Sequence, residues 1–186
     1  FVARIHRDAG NVDESVAALT AKRAQLPALE PRDAARNPGT AIDHAILLEQ
    51  IGALRLAQGK PAEALGALTR SLELCEALGD VGLAGAVAGI EQLARLAGEA
   101  PASVLDDTRA AALVAHAERV RELASNATTN PERRWLVARA WNAEAEIVRA
   151  GIAREPAAPA AGSRATVAER VRSGLAAAER DAAALD

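Results

Sequence analysis

The chain has 186 residues, of which half are apolar and a quarter are charged, and its mean hydropathy is close to zero. This balance is typical of a globular protein and excludes an intrinsically disordered chain. A formal net charge of −3 gives no electrostatic reason to expect a nucleic acid as a partner. The longest uncharged stretches fall far short of the roughly 20 apolar residues that a membrane-spanning helix needs.

Alanine, with 49 residues, is the dominant residue type, and it favours helices whose backbones approach one another closely. Of the 22 basic residues, 20 are arginine, and this bias together with the alanine content suggests a high-GC bacterium as the source. Cys75 is the single cysteine, so no internal disulfide can form, and a reducing, cytoplasmic location is expected. The chain begins at Phe1 and contains no methionine, which indicates a piece of a longer protein.

Apolar residues recur at helical spacing through most of the chain and predict about eight helices in four antiparallel hairpins. The clearest apolar stripe belongs to the fourth helix, where Ala64, Leu68 and Leu72 recur at four-residue intervals. Pro61 suits the first turn of that helix, and Gly79 is expected to end it. The predicted helices span residues 1–8, 12–26, 41–58, 61–78, 81–97, 103–125, 131–150 and 164–185.

The predicted connections are glycine turns and two longer loops. The loop at 27–40 contains three prolines, and the connection at 151–162 is rich in alanine and proline. One glycine lies between the two helices of each hairpin and predicts its turn. These turn glycines are Gly10, Gly59, Gly98 and Gly151.

A repeated helix-turn-helix pattern is clearest in the second hairpin. Leu48, Ile51 and Gly52 occupy the first helix, and Ala64 and Leu68 occupy the second helix at the spacing of a tetratricopeptide repeat. The segment IGALRLAQGKPAEALGALTRSLEL therefore resembles a tetratricopeptide repeat. Gly52 and Ala64 are expected to be small because the two helices cross there, and larger side chains would push them apart.

The resemblance implies an all-α fold, a right-handed stack of antiparallel helix hairpins forming a tetratricopeptide-like α-solenoid of about eight helices. Arg55 departs from the pattern because an aromatic residue is usual at its position. Gly82, Gly85 and Gly89 supply small surface in the third hairpin. A single domain is expected over 1–186, with a partial first hairpin at 1–26, the best repeat at 41–78, a third hairpin at 81–125 and a divergent C-terminal hairpin at 131–185.

No constellation of catalytic or metal-binding residues is recognisable in the sequence. His6, His44 and His116 lie far apart, and none has a second ligand at helical metal spacing, so each is interpreted as a core or surface histidine. The adjacent Asp106 and Asp107 fall at the start of a helix, where carboxylates interact favourably with the helix dipole. No enzyme activity, cofactor or metal is therefore expected.

Three further side chains are informative. Cys75 lies on an apolar stripe and is predicted to be packed rather than reactive. Trp135 and Trp141 are six residues apart and do not share one narrow helix face, so at most one of them is expected to be fully buried. An exposed tryptophan beside arginine residues would make a plausible binding anchor.

The resemblance also implies a binding surface, because the first helix of each hairpin lines the concave side of such stacks. In the second hairpin this surface offers an acid and apolar residues, not the Lys, Arg and Asn that grip an acidic peptide terminus. A hydrophobic or mixed partner helix is therefore expected. The groove-facing candidates are Glu49, Ala53 and Leu56 from the second hairpin, Gln92 and Arg95 from the third, and Trp141, Ala145 and Arg149 from the fourth.

Two functions remain open at this point. The first is a non-catalytic protein-protein interaction module that binds a peptide or partner helix on a concave helical surface. The alternative is a regulatory or effector-sensing repeat segment of a larger multidomain bacterial protein, such as a transcription activator. In either case the partner is a protein, a peptide or another domain of the parent protein, with no nucleic acid and no membrane, and more repeats or another domain are expected to precede Phe1.

Overall fold

The computed structural model describes residues 10–101, 103–127 and 133–154, and these residues form helices without any strand. The described part of the chain is therefore all-α, as predicted. The predicted helices at 1–8 and 164–185 lie outside it. The observed α-helices are α1 (Val12–Ala24), α2 (Pro38–Ala57), α3 (Pro61–Ala77), α4 (Leu83–Glu99), α5 (Asp107–Asn126) and α6 (Arg133–Arg154), with short 3-10 helices at Pro31–Arg36 and Gly79–Val81.

The chain divides into two compact units, the first ending at Gln92 and the second beginning at Leu93. The boundary falls within α4. In the described residues, unit 1 contains α1, α2, α3 and the first part of α4, and unit 2 contains the remainder of α4 with α5 and α6.

The bounds of α2 and α3 agree closely with the sequence prediction, because proline and glycine mark their ends. Pro61 stands in the first turn of α3, where the N–H that proline lacks would have no helical partner. Gly59 adopts a φ of 69° between the helices, and its N–H donates to the Leu56 carbonyl at 2.9 Å. A left-handed conformation is strained for residues with a side chain, so this glycine makes the tight turn possible.

The segment predicted as a loop at 27–40 is more regular than expected. It holds the 3-10 helix Pro31–Arg36, and α2 already begins at Pro38. Three prolines predict irregular structure here, but Pro31 and Pro38 each stand in the first turn of a helix, where proline is well tolerated. A hydrogen bond also holds the start of the segment against α2, since His44 Nε2 donates to the Pro27 carbonyl at 2.9 Å.

Two of the four predicted turn glycines are wrong. Gly98 and Gly151 lie within α4 and α6, whereas Gly10 and Gly59 adopt positive φ as a turn requires. Helix α4 ends ahead of Pro101, because a residue that precedes proline is disfavoured in the helical conformation. The following helix then begins at Asp107, where the Asp106 carboxylate caps it by accepting from the Arg109 N–H at 2.8 Å.

The crossing of α2 and α3 depends on Gly52, as the sequence predicted. Gly52 is buried, and a Cβ atom at this position would lie 2.6 Å from Leu68 Cγ and 3.4 Å from the Ala64 carbonyl oxygen. Ala64 and Leu68 are themselves fully buried. A hydrogen bond across the same interface joins the Ser71 hydroxyl to the Ala45 carbonyl at 2.8 Å. The backbone of α2 at Gly52 therefore packs directly against the Leu68 side chain of α3, and position 52 has no room for a larger residue.

Glycines also bring α4 close to α3, in agreement with the small surface expected there. A Cβ atom at Gly85 would lie 2.8 Å from Cys75 Sγ, and one at Gly82 would overlap the Cys75 carbonyl. At Gly89 the nearest atom is Leu72 Cβ at 3.7 Å, which is ordinary van der Waals contact. The stripe of small residues on α4 therefore covers Cys75.

Arg55 joins three helices through polar contacts. Its Nε lies 3.0 Å from Glu63 Oε2 on α3, and its Nη1 lies 3.6 Å from Asp13 Oδ1 on α1. Gln58 accepts from Arg55 Nη1 and donates to Asp13 Oδ1, each at 2.9 Å. The charged head of this partly buried arginine is therefore paired with residues of α1 and α3.

The core of unit 2 forms where α5 packs against α6. Small and branched apolar residues recur every three or four positions on both helices, so each helix presents one buried face. The buried members of this core are Leu113, Ala117, Val120 and Ala124 on α5 and Leu136, Ala140, Ala143 and Ile147 on α6.

Candidate functional site

Helix α2 carries an exposed apolar face, which we call the outer stripe. Its members follow spacings of four and three residues, so they lie along one side of the helix. Ile46 is 47% exposed and Ile42 is 36% exposed, while Ala53 is exposed and the other two members are partly exposed. The outer stripe consists of Ile42, Ile46, Glu49, Ala53 and Leu56.

The adjoining side of α2 is buried in the hairpin, with Ala41, Ala45, Leu48 and Gly52 all inside unit 1. A surface helix normally has one apolar face and one polar face. In α2 the apolar surface is wider than the part that the hairpin buries, because it continues from these residues onto the outer stripe. In the described part of the chain, Ile42, Ile46 and Ala53 remain exposed.

Glu49 lies at the centre of the outer stripe and is held by a neighbouring helix. Its Oε1 accepts a hydrogen bond from Gln92 Nε2 on α4 at 2.6 Å. Burial raises the pKa of the Glu49 carboxyl, and the hydrogen bond from Gln92 partly opposes that rise. The interaction brings together two residues that the sequence predicted for one binding surface from separate hairpins.

The charged groups of α2 give this face an acidic character. Asp43 is exposed at the edge of the outer stripe, and Glu49 lies within it. The only arginine of α2, Arg55, points away from the stripe and is paired with Asp13 and Glu63. A partner that approaches α2 therefore meets apolar side chains and carboxylates.

The sequence analysis missed Ile42 and Ile46, although it proposed Glu49, Ala53 and Leu56. It took its candidates from the repeat pattern, which begins at Leu48 and so excludes the first turns of α2. The signal was available in the spacing, since stepping back from Glu49 by three and then four residues reaches both isoleucines.

The candidates predicted in unit 2 have different surroundings. Arg95 and Arg149 are exposed. Trp141 is partly buried, and the Arg121 guanidinium lies over its ring at 4.4 Å from the centroid. Ala145 is buried, with 7% of its surface exposed, and so does not present the accessible surface that was predicted for it. An alanine side chain is short, so larger neighbouring side chains can cover it.

Polar contacts fix the partly buried arginine of unit 2. Arg121 Nε donates to Glu144 Oε2 on α6 at 2.9 Å while its guanidinium stacks on Trp141. Trp135 is 58% exposed, and Arg139 lies over its ring at 4.2 Å. Neither tryptophan is fully buried, which agrees with the expectation that at most one would be.

The described histidines are held by local contacts. His44 is bonded to the Pro27 carbonyl, and Arg119 Nη2 donates to His116 Nδ1 at 2.8 Å. Within the described ranges no group of three or more His, Cys, Asp or Glu side chains is arranged to hold a metal ion. Cys75 is buried, as predicted, and burial followed by the charges of Glu49 and Glu76 raises its pKa to about 11.

Comparisons of the chain with protein-family models, with curated proteins and with solved structures found no significant match. Among the described helices, none combines the length and the apolar character needed to cross a membrane.

Proposed function

We propose that this chain is a non-catalytic protein-interaction module, and that the outer stripe of α2 binds an amphipathic helix of a partner protein. The observation that carries the proposal is the exposure of Ile42 and Ile46 on a helix whose other face is already packed. Recognition of a helix by such a surface uses apolar anchors spaced three or four residues apart, which matches the spacing of the stripe.

We also propose that the hairpins stack in the manner of tetratricopeptide repeats. The close crossing of α2 and α3 at Gly52 supports this arrangement, because the repeat pattern requires small residues there. The hydrogen bond between Glu49 and Gln92 supports it further, since it joins the first helices of two successive hairpins. In a stack of this kind the first helices line one common surface.

The outer stripe is expected to bind a single partner helix with moderate affinity. Completing the burial of a half-exposed isoleucine contributes roughly 1 kcal/mol, given about 1.5–3 kcal/mol for full burial of such a side chain. A partner must also lose rotational freedom and order its side chains, which offsets much of this gain. A dissociation constant on the order of 1–100 μM is therefore expected for a single helix.

The experiment is a display selection with a library of amphipathic helical peptides whose apolar face is randomised. Enriched peptides are measured by titration against the wild-type chain and against Ile46→Asp. The variant is expected to weaken binding at least ~10-fold, because a carboxylate replaces an apolar contact that the peptide must desolvate.

The matched control is Ala138→Asp, which places the same side chain at an exposed position within α6. Circular dichroism and thermal unfolding verify that both variants are folded. The proposal requires binders that tolerate Ala138→Asp and lose affinity with Ile46→Asp. A selection whose binders are all insensitive to Ile46→Asp overturns it.

A further inference from the structure

Resting on the function proposed above, we infer that the partner helix presents a lysine or arginine to Glu49, between the apolar residues that contact Ile42, Ile46 and Ala53. Glu49 is the one charged member of the outer stripe. It lies between Ile46 and Ala53 in sequence, so a helix that covers both of them also covers the carboxylate.

The carboxylate is oriented but incompletely satisfied. Gln92 Nε2 donates to Oε1 at 2.6 Å and so fixes the plane of the group. Within the described residues Oε2 accepts no hydrogen bond. A carboxylate has several acceptor sites, and a cationic side chain is the donor that satisfies the remaining ones most strongly.

Covering this carboxylate with an apolar side chain is costly. Glu49 is already partly buried, and removing its remaining water without a new donor either weakens binding strongly or forces the carboxylate to bind a proton. An acidic side chain at the same place is repelled. A partner with a cation at this position avoids both penalties, so Glu49 selects among amphipathic helices that match the isoleucines equally well.

The surrounding charges favour the same partner. Asp43 adds a second carboxylate at the edge of the stripe, and α2 directs its only arginine to the opposite side. From α3, Cys75 lies close enough for the Glu49 carboxylate to raise the pKa of its buried thiol. From α4, the neutral Gln92 is the group in contact with Glu49. None of these groups offers Glu49 a cation of its own.

The test repeats the peptide selection with three chains: wild type, Glu49→Leu and the control Glu122→Gln, which changes an exposed glutamate of α5. Lysine or arginine is expected to be enriched at one fixed position of the randomised apolar face in the wild-type and Glu122→Gln pools. The Glu49→Leu pool is expected to carry an apolar residue there.

A thermodynamic cycle on one selected peptide makes the result quantitative. Replacing its basic residue by norleucine is expected to weaken binding to wild type ~10-fold or more and to leave binding to Glu49→Leu unchanged or tighter. The weakening by norleucine should shrink at high salt, because the contact is ionic.

The outcomes separate this inference from the proposed function. Peptides that depend on Ile46 but carry no fixed basic residue overturn the inference and leave the function standing. A selection without any Ile46-dependent binder overturns both. Sedimentation of the wild-type chain adds one more outcome. A dimer that Ile46→Asp dissociates would show that a second copy of the chain occupies the stripe. Because that copy presents no cation at this face of α2, such a dimer would overturn the inference.

Discussion

The two units of the chain differ in what they leave at the surface. In unit 1, α2 exposes Ile42 and Ile46 beside the face that is buried in its hairpin. In unit 2, the exposed positions of α6 include Asn142, Glu146 and Arg149, and its exposed tryptophan is stacked with an arginine. Both units bury a face of small and branched apolar residues, so the core does not distinguish them. The outer surface does, and this difference is the reason that we propose partner binding for unit 1.

The units also differ in how their helices are held together. Gly52 lets α2 and α3 approach until backbone meets side chain, and the polar network of Arg55 lies at one end of that hairpin. Between α5 and α6, Arg121 contributes a partly buried ion pair and a cation-π contact beside the apolar core. Polar contacts therefore occur in both units, and the close glycine crossing of α2 and α3 belongs to unit 1.

The chain offers a natural probe for each unit. Cys75, the single cysteine, is buried in unit 1, and both tryptophans lie in unit 2. Thiol labelling during urea unfolding therefore reports the opening of unit 1, and tryptophan fluorescence reports unit 2.

The largest effect is expected from Gly52→Leu. The first atom of the new side chain already overlaps Leu68, which is fully buried and has no space to move into, so unit 1 should lose about 3 kcal/mol of stability. Cys75 should become reactive at a lower urea concentration, with a smaller change in tryptophan fluorescence. The control Gly66→Leu places the same side chain at an exposed position with nothing within 4 Å. Equal effects of the two variants would contradict the close crossing.

The second effect concerns the reactivity of Cys75. Burial raises the pKa of the thiol from 9.0 to about 11, so at pH 8 the folded chain holds roughly 100-fold less thiolate than the unfolded chain. Alkylation by iodoacetamide should be at least this much slower in the folded state. Stability from this group is fully present below about pH 9 and is lost as the pH rises toward 11, because the buried thiol resists ionisation. Equal rates in the folded and unfolded states would contradict the buried environment.

The third effect is expected in unit 2 from Arg121→Gln. The variant loses both the ion pair with Glu144 and the stacking on Trp141, which together contribute about 1 kcal/mol at a partly exposed site. Urea unfolding followed by tryptophan fluorescence measures the loss, and high salt should reduce it. Arg149→Gln, at an exposed position of the same unit, serves as the control and should change stability by less than about 0.5 kcal/mol.

The smallest effect is expected when two glycines of unit 1 are replaced by alanine, because the change in stability should have opposite signs at the two positions. Gly66→Ala should stabilise the chain by about 0.8 kcal/mol, because alanine is the better helix former and the position is open. Gly52→Ala should destabilise it, since the overlap with Leu68 outweighs the same gain. Thermal unfolding of the two variants decides the point. A stabilising Gly52→Ala would show that the crossing is looser than described.

The sequence predicted the helices of unit 1 well because several local signals agreed there. Pro61 and Gly59 marked the α2–α3 turn, and the apolar spacing of Leu65, Leu68 and Leu72 marked the buried face of α3. The small-residue crossing at Gly52 was predicted from the repeat pattern and is confirmed by the space around it.

The prediction of secondary structure failed where one residue type was assigned a single structural role. Glycine at positions 98 and 151 was interpreted as a turn, but a helix can contain glycine at modest cost when its neighbours favour helix. Proline at 31 and 38 was interpreted as loop, but proline also begins helices. Only the surrounding residues and the tertiary packing determine which of these roles a glycine or a proline has.

The candidate site was predicted only in part, because exposure is a property of tertiary structure. Glu49 was identified from its place in the repeat pattern, whereas Ile42 and Ile46 precede that pattern and were not among the candidates. Their side of α2 became recognisable as a surface once the other side was seen to fill the hairpin. Ala145 shows the opposite case, since position in the repeat suggested exposure and packing removed it.

The most direct test of this account is a nuclear magnetic resonance titration of the chain, labelled at isoleucine δ1 methyl groups, with a helical peptide from the selection. The account predicts that the resonances of Ile42 and Ile46 shift with peptide concentration while that of Ile147, buried in unit 2, stays in place. Shifts at Ile147 with unchanged Ile42 and Ile46 would place the binding surface elsewhere and contradict the assignment of partner binding to α2.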